Sequence, residues 1–126
     1  MALTPPHLQR RAEFRRVAAR GRKWAAPGLV LQAARQSDAP HPMRVGFTAS
    51  RKVGGAVVRN RARRRLKALA HEILPGHAKE GYDYVLIARA ATPERPFPAL
   101  RDDLIAALSK VGALRSADSP ARPVAS

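Results

Sequence analysis

Residues 50–69 combine a high density of positive charge with regularly spaced apolar side chains. This basic segment contains eight Lys or Arg residues and no Asp or Glu. Apolar residues recur along it and just beyond it at steps of four, three and four, the spacing of one face of an α-helix: Ala62, Leu66, Leu69 and Ile73. The segment therefore predicts a helix over about residues 57–74 that buries one face and presents cations on the other.

The charge of the whole chain points to a polyanionic partner. Its 126 residues carry a formal net charge of +15, more than a domain of this size needs for solubility. Closely spaced guanidinium groups repel one another, and a bound polyanion such as nucleic acid relieves that repulsion. Codon bias towards Arg, Ala and Pro is the alternative explanation, but bias by itself does not remove every acid from the basic segment.

Composition also limits the architecture and the compartment. The length suits one domain with one core. The absence of cysteine excludes disulfides and thiolate metal sites, and it favours a reducing cytoplasm. No stretch approaches the roughly 20 apolar residues of a membrane span, and the start lacks the apolar centre of a secretory signal. We therefore expect a cytoplasmic protein without a membrane segment.

Helices are predicted on both sides of the basic helix. Residues 8–20 have helical periodicity and are expected to end at Gly21 in a left-handed cap. The basic helix itself is expected to stop at Pro75-Gly76. A third helix is predicted from Phe97, with Pro98 in its first turn and acidic residues favouring its positive end: Asp102 and Asp103.

Short apolar runs bounded by turn residues predict three strands. They lie at residues 29–33, 44–50 and 82–89, and the last has the apolar continuity of a buried central strand. Gly46 leaves room above one face of the second strand, and residues 36–42 are expected to form a hairpin loop. The order of these elements indicates a mixed α+β fold.

Three landmarks resemble the bacterial ribonuclease P protein family over roughly residues 8–112. They are residues 13–17 (EFRRV) followed by Gly21; residues 44–54 (RVGFTASRKVG) leading into Arg59-Asn60-Arg61; and residues 81–89 (GYDYVLIAR). An isolated Arg-Asn-Arg tripeptide carries no information in an Arg-rich chain. Its spacing from the other two landmarks is what makes the resemblance specific.

The resemblance implies a small α/β sandwich of two layers. Its elements follow the order αββαβα, with room for an extra short strand, and a left-handed βαβ crossover surrounds the basic helix. General rules predict the opposite hand, since about 98% of such connections are right-handed. The corresponding domain organisation is a flexible N-terminus over residues 1–7, an RNA-binding domain over 8–114 and a disordered tail over 115–126.

The resemblance also implies a function. The chain is expected to be a protein subunit that binds the catalytic RNA of ribonuclease P and the 5′ leader of precursor tRNA, promoting endonucleolytic removal of that leader. No stable protein partner and no membrane is implied. The alternative is a ribosomal or other structural RNA-binding protein of similar fold. A DNA-binding helix-turn-helix is disfavoured, because no short helix precedes the basic helix.

The resemblance assigns the basic segment to the RNA subunit. The matching residues are Arg51, Lys52, Arg59, Asn60, Arg61, Arg63, Arg64 and Lys67. The alternative for the cations is a solvated helix face balanced by counterions. Asn60 has a further alternative, capping the amides at the helix start, alone or together with RNA contact. Arg65 lies between the basic and apolar faces, where its stem can pack instead.

A groove between the first helix and the sheet is implied for the 5′ leader, with the residues Phe14, Arg15, Arg16, Gln32 and Thr48. Single strands are bound by stacking aromatics combined with cations. Two positions depart from the family: Ala18 stands where an aromatic is common, and Gln32 replaces a frequent tyrosine. Trp24 is a candidate to supply the missing stacking, and core packing is the alternative role for Phe14.

No catalytic constellation is recognisable in the sequence. The four histidines lack the spacing of a metal site and are predicted at the surface: His7, His41, His71 and His77. The resemblance implies that the RNA subunit performs hydrolysis with bound Mg²⁺, and that the protein needs no cofactor of its own.

Overall fold

The computed structural model describes residues 5–36 and 42–115, which form a four-stranded sheet packed with three helices. A 3₁₀ turn at Arg51–Val53 precedes the second helix. The bounds are α1 Arg11–Arg20, β1 Arg22–Ala25, β2 Leu29–Arg35, β3 Arg44–Thr48, α2 Ala56–His77, β4 Tyr82–Ala88 and α3 Phe97–Lys110. The predicted α+β class is therefore confirmed, and β1 is the extra short strand.

β4 lies inside the sheet, whose strand order is β1-β2-β4-β3. It pairs antiparallel with β2 and parallel with β3, while β2 also pairs antiparallel with β1. The prediction of a buried central strand is confirmed, because residues 83–86 are all buried. The parallel pairing makes α2 the crossover between β3 and β4, and its left hand stays a prediction.

The predicted hairpin between β2 and β3 is wrong. β4 lies between these two strands, so the connection has to pass over a neighbour rather than turn back on itself. β4 is apolar on both faces and is stabilised by pairing along both edges, which displaces the local hairpin. Residues 37–41 of the connection lie outside the described residues.

α2 and α3 pack together on one face of the sheet and bury the main core. The apolar stripe predicted on α2 is buried there, as is the equivalent stripe of α3. Alternate strand residues meet these helices, including Leu31 of β2 and Leu86 of β4. The stripe that defined the basic helix in the sequence is thus the surface that attaches it to the sheet.

α1 lies on the opposite face of the sheet. Val17 is buried there with Ala34 and Val85, strand residues that alternate with those of the main core. Phe14 and Ile87 pack against this smaller cluster from its edge and remain half-buried. α1 therefore covers only part of its sheet face.

α1 begins at Arg11 rather than at residue 8, because Glu13 holds the preceding backbone outside the helix. A Glu13 carboxylate oxygen accepts hydrogen bonds of 2.9 Å from the backbone N–H groups of Gln9 and Arg10. These bonds lower the pKa of Glu13 below its usual value, so the carboxylate stays charged beside the positive end of the helix.

Part of the predicted flexible N-terminus lies against the sheet edge. Leu8 N–H donates to the carbonyl of Val45 at 2.9 Å, and Val45 N–H donates to the carbonyl of Pro6 at 3.0 Å. Residues 5–7 are therefore placed beside β3, because these bonds satisfy its outer edge. Residues 1–4 lie outside the described residues.

Gly21 ends α1, but the prediction of a left-handed cap is wrong. Its φ of −92° and ψ of 178° are extended. A glycine fits here for another reason: a Cβ would lie 2.5 Å from the Ala33 carbonyl oxygen and 2.6 Å from that of Val17. The turn from α1 into β1 therefore requires close approach of two backbones.

α2 continues through Pro75 to His77, so the predicted stop at Pro75-Gly76 is wrong. Arg115 supplies donors for this last turn, because its backbone N–H donates to the carbonyl of His77 and its guanidinium to those of Pro75 and Ala78. A residue distant in sequence thus satisfies carbonyls that a helix end leaves free. Residues 116–126 of the predicted disordered tail lie outside the described residues.

The prediction for the start of α3 is correct for Pro98 and wrong for the two acids, Asp102 and Asp103. Phe97 and Pro98 open the helix, but its first turn contains no acidic residue. Asp103 instead lies buried and forms an ion pair with Arg95, with the Arg95 Nε 2.6 Å from a carboxylate oxygen. Asp103 therefore anchors the turn before α3 through Arg95, and it does not lie at the positive end of the helix dipole.

Candidate RNA interface

α2 and the turn before it present cations to solvent. Arg51, Lys52, Arg64 and Lys67 are exposed, and Arg63 is half-buried. Within residues 5–36 and 42–115, no acidic side chain forms an ion pair with any of them. We call the following six residues the basic face: Arg51, Lys52, Asn60, Arg63, Arg64 and Lys67.

Asn60 is not the cap of α2. Gly55 occupies that position, and Asn60 lies in the second turn with its side chain exposed. Its Oδ1 accepts a hydrogen bond of 2.8 Å from Arg63. The prediction of a capping role is wrong because α2 begins at Ala56, whereas a cap at Asn60 would require the helix to begin at residue 61. Asn60 instead orients a neighbouring guanidinium.

Two further arginines, Arg59 and Arg61, flank the basic face and differ in how far they are buried. Arg61 lies 3.5 Å from Glu94, but both side chains are mainly exposed, so the pair contributes little. Arg59 is half-buried, and its Nε is buried without a hydrogen-bond partner among the described residues. Both remain close enough to solvent to contact a polyanion.

Arg65 is committed to the fold, as its position between the two faces of the helix predicted. Its guanidinium donates to the carbonyls of Thr92 at 2.7 Å and Arg95 at 2.6 Å, and it lies 6.0 Å from the centre of the Phe97 ring. Arg65 therefore ties α2 to the segment before α3.

A second surface lies beside α1, where the sheet is not covered. Val30, Gln32, Thr48 and Ile87 are half-buried there. The strand register places them on one face, since Val30 and Thr48 lie opposite Ile87 while Gln32 lies opposite Val85. With Phe14 at its edge, we call this surface the α1 groove.

Phe14 packs over Gly46 at the edge of the α1 groove. A Cβ at Gly46 would collide with the Phe14 ring, so the space that the sequence suggested above this glycine is filled by the aromatic. The ring also joins the small core beneath α1 and remains half-buried. Core packing and an exposed ring edge therefore coexist at Phe14.

The structure separates the two predicted α1 arginines. Arg15 is exposed, whereas Arg16 donates to the Arg35 carbonyl at 2.6 Å and forms an ion pair with Asp83 at 3.4 Å. Asp83 lies four residues along β4 from Ile87, roughly 13 Å away. Arg16 is therefore directed away from the α1 groove and fixes the helix on the sheet.

Asp83 is a structural centre that the sequence interpretation missed. It is 1% exposed, and Arg44 donates to its two carboxylate oxygens at 3.0 and 2.7 Å while Gln36 donates at 3.1 Å. Burial alone raises the pKa of Asp83, but these hydrogen bonds and the charges of Arg44 and Arg16 hold it below its usual value. The signal was present: a lone acid inside the run YDYVLIA requires a cationic partner when buried.

Trp24 does not reach the α1 groove. It lies opposite Leu31, which faces the main core, and therefore on the other side of the sheet. Trp24 is 42% exposed, and the centre of its ring lies 5.3 Å from the Lys110 amine nitrogen. The prediction that Trp24 supplies stacking beside Phe14 is wrong, because strand alternation points it towards α3.

Two of the histidines predicted at the surface form a pair instead. His7 Nε2 lies 3.0 Å from His71 Nε2, and the His7 ring also contacts Phe47 with its edge. Burial, followed by the charge of Lys67, lowers the pKa of His7, while burial, His7 and Lys67 lower that of His71. His77 is exposed, and His41 lies outside the described residues.

The described residues also bear on metals and membranes. Between residues 5–36 and 42–115, no group of three or more His, Cys, Asp or Glu side chains could hold a metal ion. Among the same residues, no helix has the length and apolar character needed to cross a membrane.

Comparison with known proteins identifies the family to which this chain is related. A family model described as Ribonuclease P matches residues 4–112. A protein of Paramagnetospirillum magneticum named "Ribonuclease P protein component" is 52% identical over 126 residues, covering 98% of this chain and 95% of its own length. The chain belongs to the ribonuclease P protein family. A relative of the same name from Gluconacetobacter diazotrophicus is 49% identical, covering 89% of this chain and 96% of its own.

Solved structures of ribonuclease P proteins share the fold. The protein from Staphylococcus aureus has a TM-score of 0.71 at 22% identity, with 86% of this chain and 97% of the other covered. The protein from Thermotoga maritima has a TM-score of 0.66 at 21% identity, with 83% and 94% covered. At these identities the similarity supports the arrangement of helices and sheet, and the residue-level interface depends on the geometry described above.

Proposed function

We propose that this chain is the protein subunit of ribonuclease P and promotes endonucleolytic removal of the 5′ leader from precursor tRNA, generating mature 5′ ends. The observation that carries the proposal is the exposed basic face on a domain of the ribonuclease P protein family. A ribosomal or other structural RNA-binding role is not favoured, because the matched relatives are named as ribonuclease P protein components.

The basic face is the surface proposed to bind the catalytic RNA. Planar guanidinium groups bridge phosphate oxygens, while Lys67 acts as a movable point charge. Because Arg64 and Lys67 are exposed and form no ion pair among the described residues, a phosphate can contact them without displacing an internal partner. Arg59 and Arg61 extend this contact at the start of α2.

The α1 groove is the surface proposed to hold the 5′ leader. Phe14 offers a ring edge for stacking, and Arg15 an exposed cation that can follow the backbone of a single strand. Gln32 and Thr48 add hydrogen-bonding groups on the sheet. Arg16 contributes indirectly, because its bonds to Asp83 and Arg35 fix α1 in place.

The protein in this proposal supplies affinity rather than a reacting group. Phosphates of two RNA molecules crowd together when the substrate binds, and the cations of the protein reduce their repulsion. Hydrolysis is assigned to the RNA subunit with its Mg²⁺, as the resemblance implies. The proposed compartment, the cytoplasm, follows from the cysteine-free composition.

Reconstitution tests the function directly. The full chain is added to ribonuclease P RNA at low Mg²⁺ with a 5′-extended precursor tRNA, and cleavage is followed by gel electrophoresis. We expect the chain to stimulate cleavage at the mature 5′ end. Absence of stimulation, with the chain folded by circular dichroism, contradicts the proposal.

A charge variant tests the surface. Arg64→Ala combined with Lys67→Ala is expected to weaken binding to the RNA subunit and to reduce the slope of log affinity against log salt by roughly 0.7 to 0.9 per lost phosphate contact. The matched control is Lys79→Ala, which removes an exposed cation just beyond α2. If the salt slope is the same for the unmodified chain, the double variant and the control, the RNA does not bind at the basic face.

A further inference from the structure

A cavity of about 410 Å³ lies at the end of α1, and three arginines line it. They are Arg20, Arg22 and Arg35, together with Gly21, Tyr82 and Gly112. None of these residues belongs to the basic face or to the α1 groove. The volume falls in the range of sites that hold small molecules or parts of larger ones.

The three arginines converge from separate elements. Arg20 ends α1, Arg22 begins β1, and Arg35 ends β2. The tight turn at Gly21 fixes the first two, because it brings the chain against the Ala33 carbonyl with no space for a Cβ. The fold therefore brings the charges to one place, in contrast to a run of basic residues in sequence.

Further backbone contacts place Arg35 and Arg22 near the cavity. The carbonyl of Arg35 accepts a hydrogen bond from Arg16, which fixes the end of β2. Gly112 has a φ of +77°, and a Cβ there would lie 3.2 Å from a terminal nitrogen of Arg22. The turn after α3 thus brings the backbone of Gly112 close to the Arg22 guanidinium at the cavity.

The cavity carries the positive charge of Arg20, Arg22 and Arg35. Among the described residues, no ion pair involves Arg20, Arg22 or Arg35. Asp83, the buried acid next to Tyr82 in the chain, already forms ion pairs with Arg44 and Arg16. Three arginines that line one cavity without an acid among the lining residues raise its positive potential, and a bound anion lowers that potential.

We propose that this cavity binds a phosphate group of RNA, at a second contact separate from the basic face. Guanidinium groups are suited to phosphate because their planar donors bind two oxygens at once. The phenol of Tyr82 is a further donor of the required kind. A phosphodiester within a polymer and a free phosphate share this chemistry.

The first experiment tests phosphate binding without any RNA. Inorganic pyrophosphate is titrated into the ¹⁵N-labelled full chain, and the amide signals of Gly21 and Gly112 are followed by NMR. We expect saturable shifts of both signals. The double variant Arg22→Gln, Arg35→Gln should bind about tenfold or more weakly, because each charge-assisted hydrogen bond contributes strongly.

The matched control is Arg11→Gln, which removes the same charge from the first turn of α1, at the other end of that ten-residue helix. It should bind pyrophosphate like the unmodified chain. Circular dichroism verifies that every variant is folded. If Gly21 and Gly112 do not shift, or shift equally in the double variant and the unmodified chain, the proposal is wrong.

The second experiment tests RNA as the source of the phosphate, and this step rests on the proposed function. Binding to ribonuclease P RNA, with and without precursor tRNA, is measured against salt. We expect the double variant to lose roughly 0.7 to 0.9 from the salt slope, and Arg11→Gln to lose nothing. An unchanged slope alongside lost pyrophosphate binding refutes RNA as the ligand and assigns the cavity to free phosphate.

Discussion

Replacing Asp83 with Asn tests whether the buried carboxylate holds α1 on the sheet. The change keeps the side-chain size but removes the charge that Arg44 and Arg16 share. Removing one partner of a buried ion pair lowers the unfolding free energy by about 3 to 5 kcal/mol. Because the two arginine side chains remain 29% and 26% exposed, water can solvate the freed charges. We therefore expect a loss at the lower limit, about 3 kcal/mol of unfolding free energy.

The assay is urea unfolding at pH 7, followed by circular dichroism at one fixed sulfate concentration. The control is Asp102→Asn, which makes the same change at an exposed position of α3. We expect Asp102→Asn to remain within about 0.5 kcal/mol of the unmodified chain. A loss below about 1 kcal/mol for Asp83→Asn, or equal losses in both variants, would refute the structural role of the carboxylate.

The same variant has a signature in pH. The pKa of Asp83 is lower in the folded chain than the ordinary value of 3.8. The carboxylate therefore contributes stability above about pH 3.8, and that contribution is lost as the pH falls through the folded-state pKa. Unfolding free energy of the unmodified chain should decrease over this range more steeply than that of Asp83→Asn.

Two further predictions concern contacts around the interface. Gly46→Ala places a Cβ against the Phe14 ring and should cost about 1 to 3 kcal/mol of unfolding free energy, while lowering affinity for precursor over mature tRNA if the ring contacts the leader. Fluorescence binding and urea unfolding measure both effects, and equal loss for the two tRNAs would contradict a leader contact. The pKa values of His7 and His71 lie below the ordinary 6.5, so stability is present above about pH 6.5 and is lost as the pH falls through the folded-state values. Unfolding between pH 7 and 5 should show a smaller loss in His7→Ala, and identical profiles would contradict the paired contact.

Local patterns predicted the elements whose signal was strong and continuous. The stripe of Ala62 and Leu66 on α2 and the apolar run of β4 were correct, because burial of one face or of both faces imposes a regular period. The end of α2 was predicted wrongly from Pro75. Proline removes one donor and disfavours a helix locally, but Arg115 satisfies the last carbonyls from the far end of the domain.

The two surfaces differ in how much the sequence could predict. The basic face was predictable because Arg63, Arg64 and Lys67 lie on one helix, whose period is known, and Arg51 and Lys52 lie in the turn just before it. The α1 groove is formed by α1, β2, β3 and β4, so its geometry depends on how α1 crosses the sheet. Trp24 was placed on the wrong face because its strand, β1, was not predicted, and the ion pair of Arg16 was missed because its partner Asp83 lies on a strand distant in sequence.

The sequence alone determined that residues 50–69 contain a helix with two different faces. The apolar stripe attaches one face to the core, and the dense positive charge lies on the other. Tertiary structure decided which cations remain free. Arg65 is bound by the carbonyls of Thr92 and Arg95, whereas Arg64 and Lys67 face solvent. The physical reason is that the sequence fixes the angle of each side chain around its own helix axis, but only packing decides which neighbour, or solvent, lies in that direction.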